Sequence, residues 1–143
     1  MTPAPVANTE IHLALDRQSA DYSPGDALTV EATSALFAGA QSAELSVLWL
    51  TVGKGDEDLF VHDFQRISGS QLARGESLTL ATVLPMSPLS YAGRVVKVCW
   101  CARLRLNLPS GKQLVAEASF HVGRVAPAPP LPADAVLPEE AAP

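Results

Sequence analysis

Residues 84–120 read LPMSPLSYAGRVVKVCWCARLRLNLPSGKQLVAEASF. Prolines and serines open the stretch, and from Val96 onward the pattern alternates strictly. Val96, Val98, Trp100, Ala102, Leu104 and Leu106 fall on one face, while Lys97, Cys99, Cys101, Arg103 and Arg105 fall on the other. Pro109-Ser110-Gly111 supplies a tight turn. On the return, Leu114, Ala116, Ala118, Phe120 and Val122 share a face, opposite Gln113, Val115, Glu117, Ser119 and His121. Side chains alternate across a strand with a period of two, so this is a long hairpin with one apolar face. That face needs a second layer to cover it, and the pattern predicts an antiparallel β-sandwich.

The upstream chain supplies the remaining strands. Residues 11–15 (IHLAL) alternate and predict a first strand. Tyr22-Ser23-Pro24-Gly25-Asp26 is turn chemistry, because proline presets φ and glycine accepts a positive one. A strand follows with Leu28, Val30 and Ala32 on one side. Residues 35–42 read as a loop, although their alanines permit a helical turn. Residues 44–52 are apolar on both faces, as a central strand would be. Residues 53–57 (GKGDE) form a polar hairpin connection, and residues 59–67 return with Phe60, His62 and Phe64 alternating against Leu59, Val61 and Asp63. Residues 68–76 read as a loop, and residues 77–84 as a further strand. About seven short strands with frequent turns make an all-β, immunoglobulin-like sandwich.

The composition brackets the domain plan. The chain has 143 residues, 48% of them apolar and 17% charged, which suits one globular domain. Residues 1–9 predict a flexible arm, 10–123 the sandwich, and 124–143 a disordered Ala/Pro-rich tail with too little apolar bulk to offset the entropy of ordering. A net charge of −5 disfavours nucleic acid and anionic membranes as partners. No stretch reads as a membrane helix, since the longest uncharged run, residues 77–93, contains Pro85 and Pro88. The start of the chain lacks the basic and apolar regions of a signal peptide. Cys99 and Cys101 stand two apart on one strand, at or past the usual disulfide reach, so reduced thiols and a cytoplasmic setting are expected.

Tyr22-x-Pro24-Gly25-Asp26 before a strand, Leu84-Pro85 followed by Ser90-Tyr91-x-Gly93, then a strand carrying Trp100 and a return strand form an ordered set of signals. In this order the chain resembles a single lobe of the arrestin-like fold, the β-sandwich of arrestins, arrestin-domain proteins and the Vps26 subunits of retromer. The resemblance covers roughly residues 11–123 and implies a scaffold or adaptor without catalytic residues. The chain departs from the family in having one lobe. It also lacks lysines in residues 11–15, and Arg17 alone stands near them, so no functional residue is carried over.

The candidate sites are few. His12, His62 and His121 all sit in predicted strands, and no Gly-x-Ser-x-Gly elbow is present, so no nucleophile with a positioned base is expected and the chain reads as a non-enzyme without a cofactor. Cys99, Cys101 and His121 are the strongest metal constellation, and they define the rival reading, a metal-binding protein or small metalloenzyme. A hairpin register pairing residues that sum to 220 puts His121 opposite Cys99 and Glu117 opposite Arg103. A sum of 218 puts His121 opposite Lys97 and Glu117 opposite Cys101. The adjacent acids Asp56, Glu57 and Asp58 point apart and read as a solvated loop. Lys97, Arg103 and Arg105 make a basic stripe suited to docking an acidic partner, the chain's own acidic tail included. Pro127-x-x-Pro130 in the tail suits a spacer or an aromatic-lined groove. The leading expectation is a non-catalytic protein-interaction module. A structural subunit joined by strand addition stands as a further alternative.

Overall fold

The structure, a computed structural model, describes residues 10–74 and 77–123. The expected arm at residues 1–9 and the expected tail at 124–143 lie outside them. Among the described residues the elements are β1 (Ile11–Leu15), β2 (Asp21–Tyr22), β3 (Ala27–Ser34), a 3-10 turn (Phe37–Gly39), β4 (Ser42–Gly53), β5 (Asp56–Ser68), α1 (Gly69–Leu72), β6 (Leu78–Val83), β7 (Tyr91–Ala92), β8 (Val96–Asn107) and β9 (Gln113–Val122). A three-stranded sheet runs in the order β1-β3-β6. A six-stranded sheet runs β2-β9-β8-β4-β5, with β7 also paired to β8. The molecule is an all-β sandwich, and it departs from the expected seven antiparallel strands at two short pieces. β2 and β7 are two-residue strands, and β2 runs parallel to β9.

Alternation in the sequence becomes the inside and the outside of the sandwich. Leu28, Val30 and Ala32 of the small sheet and Leu45, Val47, Trp100, Ala102, Leu104 and Leu106 of the large one are fully buried between the layers. Each large aliphatic side chain of this set contributes about 1.5–3 kcal/mol on burial. The β8–β9 pair adopts the 220 register, with Trp100 opposite Phe120 and Arg103 opposite Glu117. One aromatic ring comes from each of five neighbouring strands across the inner face: Phe60, Trp49, Trp100, Phe120 and Tyr22, with successive centroids 5.3, 5.1, 5.9 and 5.5 Å apart.

Four local features correct the sequence reading. The connection between β4 and β5 is only Lys54-Gly55, with Gly55 at φ +86°, so Asp56, Glu57 and Asp58 are strand residues opposite Gly53, Val52 and Thr51. The register of β5 slips between Val47 and Leu48, since Val47 lies opposite Asp63 and Leu48 opposite Val61. That bulge absorbs His62 and flips the parity beyond it, so Phe64 joins Leu59 and Val61 on the outer face instead of Phe60 on the inner one. Residues 68–76 are not all loop. Ser68 Oγ accepts the Gln71 N–H and Gln71 Oε1 accepts the Ser68 N–H, a capping box that starts α1 and seats the buried Leu72. The 3-10 turn uses the permissive alanines of residues 35–42 to bury Phe37.

Candidate functional site

The two sheets treat their outer faces differently. On the small sheet the outward residues are mostly short or polar, among them His12, Glu31, Thr33 and Thr79, all exposed, with Val83 at the end of β6 the exception. On the large sheet the outward face of β4 and β5 carries an apolar cluster, with Glu44, Ser46 and Arg66 toward one end. Leu48 lies beside Val61, Leu50 beside Leu59, and Ser46 beside Phe64. Leu59, Val61 and Phe64 are 42%, 51% and 51% exposed, while Leu48 and Cys101 beneath them are buried. A groove of about 220 Å³ is lined by Leu48, Leu59, Val61 and Phe64 on one side and Arg103 and Arg105 on the other, with Ser46 and Glu44 between them. An apolar patch of this kind, rimmed by charge, marks an interaction surface more often than a free face.

The expected basic stripe does not act as one unit. Arg103 is tied to Glu117, its Nε donating to Oε2 at 2.6 Å and its second amine standing 2.5 Å from the same oxygen. The 220 register makes this pairing, which neutralises Arg103. Arg105 stands between Glu44 and Val115 across the strands, with no carboxylate within ion-pair distance among the described residues. Lys97 lies beside Ala92 and lines a different cavity, away from the groove. Within the groove, therefore, Arg105 is a cation without an ion pair, with Glu44 its neighbour across the strand.

The cysteines part company despite sharing a face. Both are free, Cys99 is exposed and Cys101 is buried. Burial, and the Glu117 carboxylate after it, push the Cys101 thiol up to about 12, so this sulfur stays protonated and unreactive at neutral pH. Among the described residues no group of three or more His, Cys, Asp or Glu side chains is gathered closely enough to hold a metal ion. The Cys99, Cys101 and His121 constellation is thus not assembled as a centre, because its middle thiol is sunk among Leu48 and its strand neighbours.

Nor do the histidines make a catalytic arrangement. His12 faces outward on the small sheet. The His62 Nε2 makes a 2.8 Å hydrogen bond with the Val83 carbonyl and lies 3.3 Å from the Thr82 hydroxyl, tying the edge strands β5 and β6 together. His121 is exposed at the end of β9. No helix among the described residues is long and apolar enough to cross a membrane. The feature that sequence reasoning missed is the apolar outer patch. Its signal was present in β4, apolar on both faces, but the bulge at His62 hid the contribution of Phe64.

No protein-family model and no curated protein matches the chain. Solved structures do. The sporulation control protein Spo0M from Bacillus subtilis superposes with a TM-score of 0.52 at 16% identity, over 81% of this chain and 49% of that one. The chain therefore spans about half of the Spo0M chain. The PmoD soluble domain from Methylocystis sp. ATCC 49242 (Rockwell) matches at a TM-score of 0.44 and 11% identity, over 82% and 95% of the two chains. A β-glucosidase from Listeria innocua matches at 0.36 and 20% identity, over 80% of this chain and 16% of the enzyme. At such identities the likeness to Spo0M is one of fold, the β-sandwich that the residues above build.

Proposed function

We propose that the chain is a non-catalytic interaction module, an adaptor or scaffold, that docks another protein on the outer face of its larger sheet. One observation supports this above the others: Leu59, Val61 and Phe64 stand exposed together around the groove, while the outer face of the small sheet carries Val83 as its one large apolar side chain among short and polar residues. The side chains stand on β5, which is paired along its length to β4 through a ladder with one bulge, and they are already exposed. Apolar anchors would seat a partner's own apolar residues, and Arg105 would orient a carboxylate beside them. The name of Spo0M as a control protein, and the arrestin-like resemblance of the lobe, support a regulatory or adaptor role over an enzymatic one.

The test is affinity capture from the native host with three proteins of matched stability. These are the parent, a Val61→Ser/Phe64→Ser variant, and a Thr79→Asp control on the small sheet. The parent and the control should retain the same partners, and the groove variant should lose them. Retention of every partner by the groove variant would defeat the proposal.

A further inference from the structure

The larger sheet forks at Cys99, and the fork forms a second, open pocket of about 370 Å³. β8 pairs with β9 from Trp100 to Asn107, then with β7 through Val98 and Lys97, which leaves Cys99 without a ladder partner on that edge. Beyond Phe120, β9 turns its pairing to β2, with His121 beside Asp21 and Val122 beside Tyr22. Ser90 wedges the fork open and pins it. Its N–H donates to the Val122 carbonyl at 2.8 Å, and its Oγ accepts the Val122 N–H at 2.8 Å. Gly93 permits the turn after β7, because a Cβ there would stand 2.7 Å from the Val96 carbonyl oxygen and 2.3 Å from the Tyr91 ring.

The lining has a consistent chemistry. Buried Phe120 and half-buried Val98 make an apolar floor. Around it stand Tyr91, Lys97, Ser119 and His121, whose side chains have no hydrogen-bond or ion-pair partner among the described residues. No aspartate or glutamate lines the cavity, although the chain carries a net charge of −5. Asp21, the neighbour of His121 in β2, lies outside the lining. An ammonium, hydroxyl groups and an imidazole with no carboxylate in the lining, over an apolar floor, complement an anion with an apolar body. The donors are separate side chains, with neither an arginine fork nor a nest of backbone N–H groups, which suits a carboxylate better than a phosphate. At roughly 30 Å³ for each water-sized group, the space holds about a dozen such groups, the size of an aryl-propanoic acid.

We propose that this fork binds a small aryl or branched aliphatic carboxylate, with its carboxylate on Lys97 and His121 and its body on Phe120 and Val98. The site is distinct from the groove at Phe64 and does not depend on it. Cys99, at the mouth, reports occupancy directly, because the other thiol is buried.

The experiment uses the full chain with 3-phenylpropanoate and its neutral analogue 3-phenylpropanamide as probes. Cys99 alkylation is timed with and without each, and backbone amide shifts are recorded in parallel. The carboxylate should slow Cys99 alkylation and shift Tyr91, Lys97 and residues 119–121. The amide, and the carboxylate with a Lys97→Met variant, should bind about tenfold more weakly, the loss of one charge-assisted contact. Absence of protection and of shifts at millimolar carboxylate would overturn the proposal. Equal binding of acid and amide, undiminished in Lys97→Met, would overturn it as well.

Discussion

Trp100 faces Phe120 directly across the β8–β9 pair, with ring centroids 5.9 Å apart, and its indole N–H donates to the Pro88 carbonyl at 3.0 Å. The residue therefore does two things at once. It fills the centre of the aromatic row, and it ties the 84–90 loop to the sheet. Trp49 packs on its other side at 5.1 Å.

Trp100→Ala should lower stability by about 3–5 kcal/mol, through lost burial and the cavity left behind. Trp100→Phe should cost less, about 1–3 kcal/mol, because it keeps much of the ring contact and loses the bond to Pro88. Urea unfolding followed by circular dichroism checks both. An Ala variant as stable as the parent would mean that the inner face is not where Trp100 points.

The folded protein should expose one thiol to an aromatic disulfide reagent, and the unfolded protein two. Cys99 is exposed and Cys101 buried, its thiol pushed up to about 12. Cys99→Ser should abolish the native signal. Rapid release of two equivalents from the folded protein would show that Cys101 is open to solvent.

Stability should fall at alkaline pH. Desolvation first, with Glu117 next, raises the Cys101 thiol from 9.0 to about 12, and desolvation with the Asp16 hydrogen bond raises the Tyr22 phenol from 10.0 to about 12. The unfolded chain releases these protons at the ordinary values while the folded chain retains them. The neutral forms therefore lend the fold full support below pH 9, and that support is lost as pH rises toward 12. The loss is at most about 1.4 kcal/mol per pH unit for each group. Thermal melts from pH 8 to pH 11 should show the decline, and Cys101→Ala should remove the part that begins near pH 9.

Charge reversal at the two arginines should not be equivalent. Arg103→Glu sets two carboxylates face to face at Glu117, on side chains only 15% and 25% exposed, and should cost about 1 kcal/mol. Arg105→Glu breaks no ion pair but sets a second carboxylate opposite Glu44 on β4, so it should cost less than Arg103→Glu. The double swap Arg103→Glu/Glu117→Arg should recover most of the loss. Equal melting temperatures for the two single variants would mean that the Arg103–Glu117 pair contributes nothing.

Much of this was legible in advance for a simple reason. Period-two alternation is a local property, so residues 96–106 and 114–122 declared their inner and outer faces without any partner, and Pro24-Gly25 and Ser110-Gly111 declared their turns. The capping box at Ser68 and Gln71 is equally local, but a four-residue helix has no apolar period to announce it.

The sequence by itself determined the all-β class, the central place of β4, the pairing of β8 with β9 as a hairpin, and the burial of Trp100 and Phe120, because each follows from side-chain spacing along the chain. Only the tertiary structure decided what depends on how strands meet. It chose the 220 register that joins Arg103 to Glu117 and divides the basic stripe. It placed the bulge at His62 that turns Phe64 outward, and the fork at Cys99 that opens a cavity between β7 and β9. Register, bulges and forks are settled by competition among distant segments for the same hydrogen-bonding edges and the same buried volume, and a strand's own residues do not carry that information.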